Sequence, residues 1–168
     1  MISGEPVGEL SEAFSAPGAT PTTWAEVDEA LTSAEMFFLA SVRRDGGPHV
    51  TPLPAIWDGG ALHVAIAAHE QKAKNLRADA RCVLTTGSPA LRSGLDVVVE
   101  GAAERVTDEA RLHELAALWK SKLDWQHEVV GDGFRDPGGR TGHVFAVVPT
   151  KVLAFAKGEA PAQTRFRP

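Results

Sequence analysis

The chain has 168 residues and a mass of 17.8 kDa, with 43% hydrophobic residues, one cysteine and a formal net charge of −5. That length suits one domain with a sizeable core. No apolar run approaches the roughly 20 residues of a membrane span, and no Lys or Arg precedes Arg43, so neither a membrane anchor nor a basic secretory leader is expected.

The charge is uneven. Residues 1–35 hold seven acids and no Lys or Arg, whereas residues 135–168 hold six bases against two acids. A basic quarter on an acidic chain argues against general nucleic-acid binding, which needs a broad positive surface. It suits a local anion site or docking against an acidic region of another chain. The lone Cys82 excludes an internal disulfide, fits a reducing cytoplasm and reads as a buried, inert thiol.

Residues 1–21, rich in Gly, Pro, Ser, Ala and Glu, read as a flexible N-terminal arm, and residues 22–168 as the folded domain. Thr23-Trp24-Ala25-Glu26 is a capping box, followed by Val27, Leu31 and Ala34 at helical spacing, which predicts a helix ending near Ser33. Phe37–Val42 is the first predicted strand. Asp45-Gly46-Gly47-Pro48 turns the chain into a second, His49–Trp57, and Asp58-Gly59-Gly60 turns it into a third, Ala61–Ala67.

Pro52 and Pro54 interrupt the second strand. Alternate residues of an antiparallel strand turn both backbone polar groups to the same neighbour, so prolines two apart strip donors from one edge. That edge reads in two ways: as protection against aggregation, or as the place where a flat heterocycle meets backbone groups.

In the third strand, Leu62, Val64 and Ile66 alternate with smaller or polar residues. A short basic helix over Glu70–Ala78 follows, with Lys72, Lys74 and Arg77 beside its start, and then a strand over Arg81–Thr86. The first turn of a helix offers unpaired N–H groups to an anion and lysines add full charge. The same composition also suits a solvated face. Leu95–Val106 is a long strand with a bend or bulge at Glu100-Gly101. A helix follows from Thr107-Asp108-Glu109, with Leu112, Leu115, Ala116, Trp119 and Leu123 as its apolar stripe. Asp124–Gly142 reads as a long Gly-rich connection, and Val144–Val148 and Lys151–Ala156 as two strands joined around Pro149.

About seven strands in mostly antiparallel hairpins with three short helices predict a mainly β protein: a small antiparallel barrel with peripheral helices. No dinucleotide fingerprint, Walker loop or nucleophile elbow is present. The six histidines (His49, His63, His69, His113, His127, His143) never adopt a ligand spacing, so no metal site is expected. A chain lacking these devices is a plausible enzyme where a cofactor carries the chemistry.

Four segments, Phe38–Val42, Pro48–Leu53, Lys72–Arg77 and Pro149–Val152, resemble the pyridoxamine 5′-phosphate oxidase-like split β-barrel superfamily, in its flavin/deazaflavin oxidoreductase branch. Lys157-Gly158-Glu159 and Gln163–Arg167 resemble the closing motif of one subgroup there. The resemblance spans roughly residues 24–168 and rests on the order of these segments. It implies a six- to seven-stranded split barrel that forms a homodimer, with FMN or the 5-deazaflavin coenzyme F-420 at the interface. Hydride would pass between that coenzyme and a small planar substrate; the alternative is a cofactor- or small-molecule-binding dimer without turnover. Residue by residue, it assigns Val50, Thr51, Pro52 and Leu53 to the ring system and Ile66, Ala67 and Ala68 to the ribityl chain. Gln71, Lys72 and Lys74 fall to the phosphate, and Trp125 and Arg165 approach the ring. Two departures matter: Ala67 and Ala68 stand where relatives often carry a phosphate-binding hydroxyl, and the C-terminal Arg and His of the vitamin-processing oxidases are not found. Pyridoxamine-phosphate oxidation is therefore not the expected activity, and without an axial histidine in evidence neither is haem binding.

Overall fold

The computed structural model describes residues 5–167. Helix α1 (Trp24–Ser33) begins at the predicted capping box: Thr23 N–H donates to Glu26 Oε2 at 2.7 Å, and Glu26 N–H to Thr23 Oγ1 at 3.3 Å. Val27 and Leu31 are fully buried beneath it, and Trp24 packs edge-on against Phe166 with ring centroids 5.2 Å apart.

Strands β2 (Met36–Val42) and β3 (Pro48–Pro54) form the first hairpin, over a turn with Gly46 at φ +82°. Ahead of them in sequence, β1 is the two-residue strand Glu9–Leu10. β4 (Ile56–Asp58) and β5 (Ala61–Ile66) form the second hairpin, with Gly59 and Gly60 both at positive φ as a tight right-twisting turn requires. The expected single strand His49–Trp57 is therefore two. Among the described residues β3 pairs only with β2 and β4 only with β5, so the chain changes partner at Ala55, just past Pro54. Helix α2 (Gln71–Ala78), β6 (Arg81–Thr86), β7 (Leu95–Val106) and α3 (Glu109–Leu123) follow as predicted.

The longest strand is β10 (Thr141–Ala156), at 16 residues. β7 lies along one edge of it; β5 covers the first half of the other edge and β11 (Ala162–Phe166) the second. The two strands expected around Pro149 are thus one, with a register shift between Pro149 and Lys151 opposite Gly101 and Glu100. Proline cannot donate to a ladder, and the bulge absorbs the missing bond while bending the strand from one partner to the next.

The architecture is antiparallel and mainly β, as the sequence predicts; among the described residues seven strands have five residues or more, but β10 merges two expected strands and β11 was not expected. Four strands of two or three residues add to these, including the hairpin β8 (Glu128–Val130) and β9 (Gly133–Arg135) inside the expected loop. The barrel is split: in the order β3-β2-β6-β7-β10-β5, no ladder joins β3 to β5. Residues 1–4 of the expected arm lie outside the described residues. The rest of the arm is not loose throughout, because β1 pairs with β11 and Ser11 N–H donates to Gln163 C=O at 2.8 Å. The arm covers what would otherwise be a free strand edge.

The inward residues of the barrel form the main core with α1 and α2, among them Phe37, Leu39, Leu62, Val64, Leu84, Val99 and Val152. A second core lies between β4, β9, β10 and α3, centred on Leu115, Trp119 and Phe134. Cys82 is buried, and burial together with the Asp79 charge pushes its thiol up to about 12. That makes it the inert group the sequence suggests.

A Cβ added to Gly101 would lie 2.2 Å from the Val148 carbonyl oxygen, inside the bulge. Gly101→Ala is expected to lower stability by about 1–3 kcal/mol, read from the urea unfolding midpoint. An unchanged midpoint would show that the bulge relaxes around the methyl group.

Candidate functional site

The open strand edge is on β3. Arg43 N–H donates to Gly47 C=O at 2.9 Å, closing the hairpin and setting the ladder phase. Residues 49, 51 and 53 then exchange bonds with β2, whereas 48, 50, 52 and 54 turn their backbone groups to the free edge. Three of those four are proline, so Val50 alone keeps an N–H there.

Side chains alternate in the same period. Val50 (58% exposed) and Pro52 stand on the outer face beside exposed Met36, Phe38 and Val42, while Leu53 is buried in the core. His49 and Thr51 face inward, and among the described residues His49 Nδ1 and Thr51 Oγ1 are buried without a hydrogen-bond partner. Each such group costs about 1–3 kcal/mol unless something else satisfies it.

Helix α2 closes this end of the barrel. Asn75, 1% exposed, donates from Nδ2 to Ser41 Oγ at 3.0 Å and accepts at Oδ1 from Gln71 Nε2 at 2.8 Å. Ser41 lies directly opposite His49. A continuous polar chain thus runs from the helix surface to the inward face of the hairpin, ending beside the orphaned atoms.

Between the tip of the β2–β3 hairpin and α2 lies a cleft of about 610 Å³, lined by Arg43, Arg44, Lys74 and Arg77 with Gln71, Asn75 and Asp45. Arg43 donates to Pro48 C=O at 2.6 Å and Arg77 to Ala68 C=O at 2.7 Å, which fixes both guanidinium groups in the wall. Four cations face one carboxylate, which itself accepts from Gly47 N–H at 2.9 Å. On a chain of net charge −5 this is a concentrated patch of positive charge. Of the residues that the resemblance gives to the phosphate, Gln71 and Lys74 line this cleft. Arg43 and Arg44 were not singled out, and the signal was an adjacent basic pair at a hairpin tip whose partner helix lies 30 residues on. Lys72 is elsewhere, bonded to Glu70 at 2.5 Å.

A second cleft, about 250 Å³, lies on the other side of the β5 terminus. Ile66, Ala67, Glu70, Trp125 and His127 are among its lining residues. Ile66 is fully buried, Ala68 is exposed and Trp125 is 51% exposed. His127 stacks on Phe134 at 4.8 Å and 15°, with Trp119 and Trp125 edge-on. Arg165 joins neither cleft: it sits on β11 and bonds Glu9 at 2.6 Å.

A sequence profile described as pyridoxamine 5′-phosphate oxidase matches residues 23–155, most of the chain and all the lining residues of both clefts. The chain belongs to the pyridoxamine 5′-phosphate oxidase family. No curated protein matches it. Among solved structures, the conserved hypothetical protein Rv2991 of Mycobacterium tuberculosis shares 21% identity at a TM-score of 0.65, over 80% of this chain and 85% of that one. An F-420 reductase shares 23% identity at a TM-score of 0.55, over 74% and 94%. The FAD binding protein of Mycobacterium smegmatis shares 19% at a TM-score of 0.55, over 85% and 93%. At these identities the likeness is one of fold. Arg165 lies outside the matched span of the family.

Two outcomes test the site's construction. Asn75→Ala leaves Ser41 and Gln71 without their buried partner and should cost about 1–3 kcal/mol in urea unfolding; no loss would mean that water replaces the amide. Burial lowers the pKa of His63, reinforced by Arg111, and burial also lowers that of His127. Both are held neutral, so their contribution to stability is complete above the unfolded imidazole value and is lost as pH falls through the lower folded values. Melting temperature should therefore drop from about pH 7.5 to about pH 5, with a smaller drop in His63→Gln.

Proposed function

We propose that this protein is a flavin- or deazaflavin-dependent oxidoreductase that uses FMN or coenzyme F-420 on a small planar organic substrate. The observation that carries the reading is the basic cleft of Arg43, Arg44, Lys74 and Arg77, set against the free edge of β3 with its orphaned His49 and Thr51. These residues fit a coenzyme with an anionic end, a polar chain and a flat ring. The cations take the anionic end, and fixed guanidinium groups need little reorganisation to do so. Val50 N–H and the apolar surface of Val50 and Pro52 offer a ring one donor and a dry contact. Ala68 meets the basic cleft through its carbonyl group, which accepts from Arg77. Ile66 and Ala67 line the second cleft instead, and Gln71 is held toward the basic cleft by Asn75.

When bound, the coenzyme supplies the hydride chemistry; the protein contributes binding, orientation and exclusion of water. The outer face of β2 and β3, with Met36, Phe38, Val42 and Val50 all 43–58% exposed, supports a homodimer that covers this apolar surface beside the coenzyme. In such a dimer Trp125 and Arg165, which stand outside the basic cleft of their own chain, would approach the ring from the partner subunit. A single buried thiol fits a reducing cytoplasm, and among the described residues no helix is long and apolar enough to cross a membrane.

One observation favours a second reading, a coenzyme-binding dimer without turnover. The β5 terminus offers no hydroxyl at Ala67 or Ala68, and Glu70 already occupies the Ala67 amide. Tight coenzyme binding without hydride transfer to quinones, enones or tetrapyrroles would select it.

Titration of the purified protein with FMN and with F-420, followed by absorption and fluorescence, should give a Kd below about 100 μM for at least one of them. Replacing Arg44 and Lys74 together by Ala should weaken that affinity at least tenfold, about 1.4 kcal/mol. Failure of both coenzymes to bind would end the proposal.

A further inference from the structure

Glu70 stands immediately before α2, where an acid is ordinarily favoured by the helix dipole and often caps the first turn. It does not cap. No side-chain bond reaches the helix N–H groups. Instead its carboxylate turns back toward the sheet, with Oε2 accepting from Ala67 N–H at 2.9 Å and Oε1 from Lys72 Nζ at 2.5 Å. The pairing of β5 with β10 stops at Ile66, so Ala67 N–H is a strand-end donor with no ladder partner. The Lys72 side chain is only 13% exposed, lying against Glu70 rather than in solvent.

A strand-end amide and a lysine ammonium are the donors a phosphate would use. Here an anion from the chain itself holds both. The other cation cluster is not consumed in this way: Arg43 and Arg77 bond only to backbone carbonyl groups, and Arg44 and Lys74 make no ion pair among those described. Only Asp45 brings negative charge to that cleft. Burial opposes ionisation of Glu70, but Lys72 and the Ala67 amide outweigh it and hold the carboxyl below its usual range, so it is charged at neutral pH.

Building on the coenzyme reading above, we propose that Glu70 determines which anion position is used: its carboxylate fills the Ala67–Lys72 position and directs the anionic end of the coenzyme to the Arg43, Arg44, Lys74 and Arg77 cleft. A carboxylate and a phosphate cannot share one amide and one ammonium, because the like charges would meet across them. The hydroxyl-free Ala67 and Ala68 supply no side-chain donor with which a phosphate could displace it.

The test follows the Ala67 amide by NMR while inorganic phosphate, and separately FMN, is titrated into wild type, Glu70→Gln and Glu70→Ala. Matching melting curves would show that all three are folded. In wild type the Ala67 amide should stay fixed while Arg44 and Lys74 respond. In both variants phosphate should shift the Ala67 amide saturably, and FMN should bind at least tenfold more tightly. An Ala67 amide that moves equally in wild type, or in none of the three, overturns the proposal; so does an unchanged FMN affinity where wild type binds flavin. If no form binds FMN, the FMN arm of the coenzyme reading falls, and the response of Ala67 to phosphate alone still decides the role of Glu70.

Discussion

The arrangement depends on one buried bond, from the Asn75 amide to the Ser41 hydroxyl. The barrel cannot close between β3 and β5, because β3 presents three prolines and a single N–H to that side. Something other than a strand must seat the end of the gap, and α2 does so with Ala73 and Leu76 in the core and Asn75 tied to β2. A buried polar link fixes position as well as adding stability, since any sideways shift would leave its groups unpaired. The position of α2 then sets the width of the basic cleft, because Lys74 and Arg77 lie on the helix and Arg43 and Arg44 on the hairpin it holds.

Much of this was legible in the residues. The capping box placed α1, period-two alternation placed β5, β6 and β7, and the spacing of Pro52 and Pro54 marked β3 as a strand with one unpaired side. All of these are local signals, carried by residues within a few positions of each other. What escaped was non-local. Val129 and Phe134 form a hairpin because they pack under α3, and nothing in the Gly-rich stretch around them announces it. Glu9 and Leu10 become a strand only because β11 offers an edge. Pro149 looked like a break between strands, yet neighbours on both sides hold one strand together through the bulge.

The site divides along the same line. That a basic helix follows β5 is visible in the sequence; which of its lysines is free is not. Lys72 and Lys74 are equivalent on paper, but one turns toward Glu70 and the other toward the hairpin. The acidic balance of the chain sharpens the effect. Excess negative charge elsewhere repels anions in general, which sets off the positive potential of the concave surface where four cations cluster.

The long strand β10 has a consequence for biosynthesis. It supplies ladder partners to β5, β7, β9 and β11, yet it begins only at residue 141. A chain still emerging from the ribosome holds β5 and β7 each with one bare flank until residues 141–156 have been made, and only the β3-β2-β6-β7 ladders and the β4–β5 and β8–β9 hairpins can form before then. The barrel thus closes only once its spine has been made, and the interval before that spine arrives is when these strands most need shielding from their neighbours.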